Sequence, residues 1–180
     1  MGISKIRKTI IAVPARVESS RLPKKVLEDI NGKPMLIRVL EQCKKVKIPA
    51  EIFLFTDSEL LSELAKTIGI NSYLTNKNCK SGSERIASVV SKLVKNSWKD
   101  FEPNNIINDN TKLKETLVIN VQADQPFLEP DVLKKMHDFF LEQKETPEVV
   151  TPIYKLKKND IHNTSVVKTL LNKDLKAIYF

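Results

Sequence analysis

Residues 10–43 read IIAVPARVESSRLPKKVLEDINGKPMLIRVLEQC, and the order of patterns inside this stretch decides the fold. Ile10 to Val13 is a short apolar run bounded by charge on one side and by Pro14 on the other, which predicts a buried strand of a parallel sheet. A polar loop, Pro14 to Lys25, follows it. Pro34 suits the start of a helix, and Leu36, Val39, Leu40 and Cys43 then recur at helical spacing. The expected unit is therefore strand, loop and crossover helix.

Working outward, the unit repeats. Ile52 to Thr56 predicts a second strand, and Leu61, Leu64, Ala65 and Ile68 form a helical stripe that Gly69 can terminate. A short strand is expected around Ser72 to Leu74. Ser81 and Glu84 stand at capping-box spacing ahead of Ile86, Val89, Val90 and Leu93, so a third helix begins there. Leu117 to Val121 predicts the next strand, and a helix opening at Pro130 carries Leu133, Met136 and Phe140 on one face. The stretch from Lys95 to Glu115 is rich in Asn, Asp and Lys without periodicity and reads as an inserted surface loop. Val166 to Leu171 and Leu175 to Phe180 read as two strands of a hairpin turning at Asn172, Lys173 and Asp174, the second strand being cut short by the last residue.

Strands alternating with helices imply right-handed crossovers. The fold class is therefore α/β, a doubly wound, mostly parallel sheet with helices on both faces, and one domain over residues 1–180 is expected. Ligands of such sheets lie beyond the carboxyl ends of the strands. Three polar segments fall there: Pro14 to Lys25, Cys79 to Arg85, and Gln122 to Pro126.

Composition narrows the partners. Apolar residues are 41% and charged residues 29% of the 180, a mixture that folds rather than remaining disordered. The net charge of +8 favours anionic ligands. Because the lysines are scattered, with no basic run interleaved with aromatics, a small phosphorylated molecule is expected in preference to nucleic acid. The apolar stretch behind the basic N-terminus is too short for a signal or membrane segment. Cys43 and Cys79 match no metal or redox spacing. The expectation is a cytoplasmic protein with reduced thiols and no membrane association.

The loop Pro14 to Lys25 gathers four cations and two serine hydroxyls directly after a buried strand. Arg16 and Arg21 can offer forked donors to phosphate oxygens, and Lys25 a compact charge for a departing pyrophosphate. On composition alone a solvated basic turn explains the loop better, since it has no glycine to wrap phosphate. Asp124 reads by itself as a residue capping the turn before Pro126. Gln122 is a hydrogen-bonding residue or simply a polar position of a strand. Lys80 to Ser83 combine a helix cap with backbone N–H groups open to a ligand. Asp57 reads foremost as a strand-end turn residue. His137, on a surface helix, and His162, in a polar loop, receive no role.

Residue order goes further than composition. Val13-Pro14-Ala15-Arg16 followed by Ser19-Ser20-Arg21-Leu22-Pro23-Lys24-Lys25 resembles the signature loop of the 3-deoxy-manno-octulosonate cytidylyltransferases, the CMP-Kdo synthetases. The resemblance continues through Asp29 to Met35, Thr56-Asp57, Ser81-Gly82-Ser83-Glu84-Arg85 and Asn120 to Pro126. It implies the nucleotide-diphospho-sugar transferase type of fold. The implied reaction is attack of the anomeric hydroxyl of a 2-keto-3-deoxy sugar acid, Kdo, on the α-phosphate of CTP with Mg2+, giving CMP-Kdo and pyrophosphate for lipopolysaccharide biosynthesis. On that resemblance the catalytic residues are Arg16, Arg21, Lys25 and Asp124. The nucleotide is held by Pro14, Ala15, Arg16, Lys25, Lys80, Ser81, Gly82, Ser83 and Gln122, and the metal by Asp124. The alternatives are nucleotidyl transfer to another sugar and a non-catalytic nucleotide-binding module.

Two positions depart from that family. Lys24 and Ala123 stand where it typically has glycine, and either would be strained if its backbone needs a positive φ. The family also continues past Tyr179-Phe180 into a Ser-Arg stretch, a second metal-binding aspartate and the elements of its homodimer. On that comparison the 180 residues alone are expected to have low or absent activity.

Overall fold

The computed structural model describes residues 6–18, 24–97 and 109–179. They fall into two compact units, Met1–Pro147 and Glu148–Phe180.

The first unit is built on a parallel sheet of four strands. These are β1 (Lys8–Ala15), β2 (Ala50–Thr56), β3 (Asn71–Leu74) and β4 (Thr116–Asn120), arranged in the order β3-β2-β1-β4. Ile11 of the central β1 faces Ile52 on one side and Ile119 on the other. The alternation of β1 splits its side chains between two cores, as period-two geometry requires. Ile11, Val13 and Ala15 join a cluster with Leu36, Val39 and Leu40 of α1 (Met35–Lys44), Leu61 and Ala65 of α2 (Glu59–Lys66) and Leu133 of α6 (Pro130–Glu142). Ile10 and Ala12 join the opposite cluster with Phe55, with Ile86 of α3 (Gly82–Ala87) and with Leu93 and Val94 of α4 (Val90–Ser97). A strand buried on both faces explains why residues 10–13 are apolar without interruption. The doubly wound expectation is met, with helices on both faces.

Local signals account for the element ends. Asn31 and Gly32 both have positive φ, 53° and 81°, and the pairing of Asp29 with Pro34 across them is a two-residue hairpin of the type that Asn-Gly favours. Arg38 of α1 donates to the carbonyls of Ile30 and Asn31, which ties this turn to the helix it introduces. Ser58 caps α2, and Gly69 at φ 73° ends the turn beyond it.

Three expectations are corrected. The stripe Ile86 to Leu93 is carried by two helices, since α3 ends at Ala87 and α4 begins at Val90; periodicity survives a short break, so the stripe could not reveal it. The segment Lys95 to Glu115 holds the end of α4 and a further helix, α5 (Asp109–Lys114), with Lys112 buried and Leu113 packed on the second core. Six residues are too few for a periodic signal, and residues 98–108 of that segment lie outside the described ones. His137 is not on a solvated face but 6% exposed within α6, its Nδ1 3.2 Å from Asp138 Oδ1.

In the second unit the hairpin is present but short. Leu170–Leu171 (β5) pairs antiparallel with Ala177–Tyr179 (β6). Asn172 Oδ1 accepts from the backbone N–H of Asp174 and Lys176, at 2.9 and 2.8 Å, and closes the turn. A two-stranded ladder is intrinsically marginal, which fits strands shorter than the apolar runs that predict them.

Among the described residues no helix is long and apolar enough to cross a membrane. Cys43 and Cys79 are both free and buried, and burial pushes the Cys43 thiol up to about 12.

Candidate functional site

The sheet order reverses direction between β1 and β4, and the carboxyl ends of these two strands mark the switch point where such folds bind ligands. A cavity of about 230 Å³ opens there. Three chain segments line it: Pro14, Ala15 and Arg16 from the end of β1, Cys79 to Gly82 with Arg85 around the start of α3, and Gln122, Ala123 and Asp124 beyond β4. Lys25 and Val26, in a 3-10 turn over Lys25–Leu27, complete it. Nine of the residues selected from sequence therefore share one cavity: Pro14, Ala15, Arg16, Lys25, Lys80, Ser81, Gly82, Gln122 and Asp124. Ser83 does not line it; its hydroxyl accepts a long contact, 3.5 Å, from Asn120 Nδ2. Arg21 lies outside the described residues.

The segments meet because two residues permit a close approach. A Cβ on Gly82 would lie 2.8 Å from Pro14 Cγ and 3.3 Å from Pro14 Cβ, closer than such atoms come without displacing one of them. Only glycine lets the first turn of α3 abut the end of β1. That turn is held by the expected cap: Ser81 Oγ accepts from Glu84 N at 3.0 Å, and Glu84 Oε2 accepts from Lys80 N at 2.8 Å.

Asp124 stands beyond the strand, as its place in the polar segment after Val121 suggested. β4 stops at Asn120, and the chain turns with Gln125 N donating to Gln122 O. The carboxylate reaches Lys25, Nζ to Oδ2 2.7 Å, with both side chains substantially exposed, 38% and 45%.

Arg85 is the residue that sequence reasoning left without a role. Its side chain is 3% exposed, and its guanidinium donates to Asp57 Oδ2 at 2.7 Å and to the Thr75 hydroxyl. It thus ties α3 to the residues that follow β2 and β3 at the same sheet edge. A lone arginine next to an apolar helical stripe was the available signal. Asp57 is accordingly the partner of a buried cation, more than the turn residue it suggested.

The two glycine-like positions separate. Lys24 adopts φ 58° and ψ 21°, the left-handed region, where its N–H donates to Val17 O at 3.1 Å and its carbonyl accepts from Leu27 N at 2.8 Å. Ala123 is buried and is not among the residues of positive φ. A non-glycine residue in the left-handed region costs about 1 kcal/mol. Lys24→Gly is therefore expected to stabilise the chain by up to about 0.5 kcal/mol, the relieved strain being largely offset by the entropy glycine adds to the unfolded state. Urea midpoints at unchanged slope measure this, and a destabilised variant would show that Lys24 contributes more through its side chain than its backbone loses.

The cavity holds four cationic side chains, Arg16, Lys25, Lys80 and Arg85, against one carboxylate, Asp124. A doubly wound sheet with a cationic cavity at its switch point defines an α/β protein whose sheet edge suits an anionic ligand. The chain belongs to the cytidylyltransferase family, whose model matches residues 10–180. It is 33% identical to a 3-deoxy-manno-octulosonate cytidylyltransferase of Chloroherpeton thalassium over 96% of this chain and 63% of that protein. The corresponding enzyme of Francisella tularensis subsp. tularensis is 35% identical over 94% of this chain and 61% of its own length. Among solved structures, CMP:2-keto-3-deoxy-manno-octonic acid synthetase complexed with CTP matches with a TM-score of 0.69 at 26% identity, over 96% of this chain and 63% of that one. The chain thus spans somewhat less than two thirds of the relatives it matches.

Proposed function

We propose that this chain is the nucleotide-binding part of a cytidylyltransferase that activates the sugar acid Kdo with CTP, giving CMP-Kdo and pyrophosphate for lipopolysaccharide biosynthesis in the cytoplasm. The observation that carries the reading is the cavity at the β1/β4 switch point, in which four cations and one carboxylate converge. Relatives bearing this activity in their names align along nearly the whole chain, and the similar solved structure is a complex with CTP. Family membership also carries the expectation of a homodimer.

In the proposed reaction the sugar's anomeric oxygen forms a bond to the α-phosphorus of CTP while the bond to the β-phosphate bridging oxygen breaks. The hydroxyl proton leaves to solvent or base, and pyrophosphate departs with the electron pair. The protein's task in such transfers is positioning and charge stabilisation. Arg16 and Lys25 hold triphosphate oxygens and stabilise charge on the departing pyrophosphate. Lys80 to Ser83, seated against Pro14, read the cytosine edge, and Gln122 hydrogen-bonds the nucleotide.

The donor set fits Mg2+ held together with substrate. Among the described residues no group of three or more His, Cys, Asp or Glu forms a cage. Mg2+ characteristically takes one or two carboxylates, with phosphate oxygens and water filling the rest. Asp124 would hold it, and when bound it supplies charge neutralisation between the nucleotide phosphates and the incoming oxygen.

Calorimetry with CTP, UTP and ATP tests the reading. CTP is expected to bind at least about fivefold more tightly than UTP, which presents an acceptor where cytosine has a donor, since one mismatched hydrogen bond costs roughly 1–3 kcal/mol. Equal binding of the three would remove the base-reading role from Lys80 to Ser83.

A further inference from the structure

We propose that Lys25 and the divalent cation are alternative occupants of Asp124, so that the Lys25 ammonium holds the carboxylate in the free protein and moves to the phosphates when metal and nucleotide arrive together. The proposal rests on the assignment of Asp124 as the metal ligand.

The first observation is the ion pair itself. Lys25 Nζ lies 2.7 Å from Asp124 Oδ2, across 99 residues of sequence. It occupies one of the two carboxylate oxygens, and repulsion between an ammonium and a dication held on the same carboxylate makes each disfavour the other. The second is its exposure. With side chains 38% and 45% exposed, the pair is of the solvated kind whose net worth is at most about 1 kcal/mol. It exchanges at little cost. The pair that Arg85 of the cavity makes with Asp57, with side chains 3% and 14% exposed, is of the other kind, because breaking a buried pair strands a charge.

The third is the way Lys25 is mounted. The backbone on its N-terminal side is fixed by Lys24 N–H to Val17 O, and the 3-10 turn is closed by Leu27 N–H to Lys24 O. Exchange therefore needs only rotation about the four-carbon side chain, whose ammonium is a point charge without the directional fork of arginine. The fourth is charge balance. A dication placed alone on Asp124 would face Arg16, Lys25 and Lys80 with one carboxylate to hold it, the Arg85 charge being balanced by Asp57. A triphosphate reverses that balance, because it supplies oxygens to the metal and to the released ammonium. Metal and nucleotide binding are thereby coupled, each favouring the other by the same factor.

Mn2+ binding to the 180-residue chain, read by electron paramagnetic resonance without nucleotide, tests the exchange. Lys25→Met is expected to bind Mn2+ about three- to tenfold more tightly than the parent, reflecting loss of a competing exposed ion pair and of residual repulsion. Adding CTP should abolish or invert this advantage, since the variant lacks the ammonium that moves to phosphate. Lys25→Arg should stay near the parent. Asp124→Asn should remove the site in both the parent and the Lys25→Met background. Circular dichroism confirms folding of each variant. If Lys25→Met binds Mn2+ no better than the parent, or not detectably, while Asp124→Asn still weakens binding, the exchange is wrong and the metal assignment stands. If Mn2+ binds equally with and without the Asp124 carboxylate, the assignment itself falls.

Discussion

Arg85→Leu is expected to lower the unfolding free energy of the chain by about 3 kcal/mol, because it leaves the largely buried Asp57 carboxylate without its counter-ion. Asp57 and Thr75 both give oxygens to the guanidinium, so the substitution orphans two polar groups and removes the link between α3 and the ends of β2 and β3. Urea unfolding followed by far-ultraviolet circular dichroism measures the loss as a lower midpoint at unchanged slope. The double variant Arg85→Leu with Asp57→Leu should recover much of it, since replacing both members of a buried pair by apolar groups is often close to neutral. Nucleotide binding is not expected to recover with it, because Arg85 also lines the cavity. A single variant within about 1 kcal/mol of the parent would mean that the pair is solvated and that α3 is held by Ile86 and its apolar neighbours alone.

Asp124→Asn is expected to change CTP affinity in opposite directions according to the metal. In chelator the variant binds CTP several-fold more tightly than the parent, since a carboxylate that repels phosphate is gone and Lys25 no longer has it as a partner. With Mg2+ present the parent gains at least about tenfold in CTP affinity, as charge-neutralising coordination predicts, and the variant loses that gain. Calorimetry in the two buffers reads both signs. A purely structural role for Asp124 would lower affinity in both, and an unchanged response to Mg2+ would place the metal elsewhere.

The strands of the sheet, the helices that open at Pro34 and Pro130, the two faces of the sheet and the cap formed by Ser81 and Glu84 were legible in the sequence, whereas the break between α3 and α4 and the short α5 were not. Each legible feature depends on residues within about one helical turn or one strand of each other, where spacing reports conformation directly. The candidate site was legible to the same extent, through the order of residues in its three segments, and Lys24 was marked as a position to watch. What local spacing cannot report is which strand ends become neighbours. The β3-β2-β1-β4 order brings residues 14–16 beside 122–124, and with them come Lys25 against Asp124, 99 residues away, and Gly82 against Pro14. The same order buries Arg85 against Asp57, 28 residues off. Backbone geometry likewise separated Lys24, which is left-handed, from Ala123, which is not. The sequence by itself determined the elements and the faces they bury, because those follow from periodicity. Only the tertiary structure decided which charges meet, because ion pairing depends on distances that the topology sets.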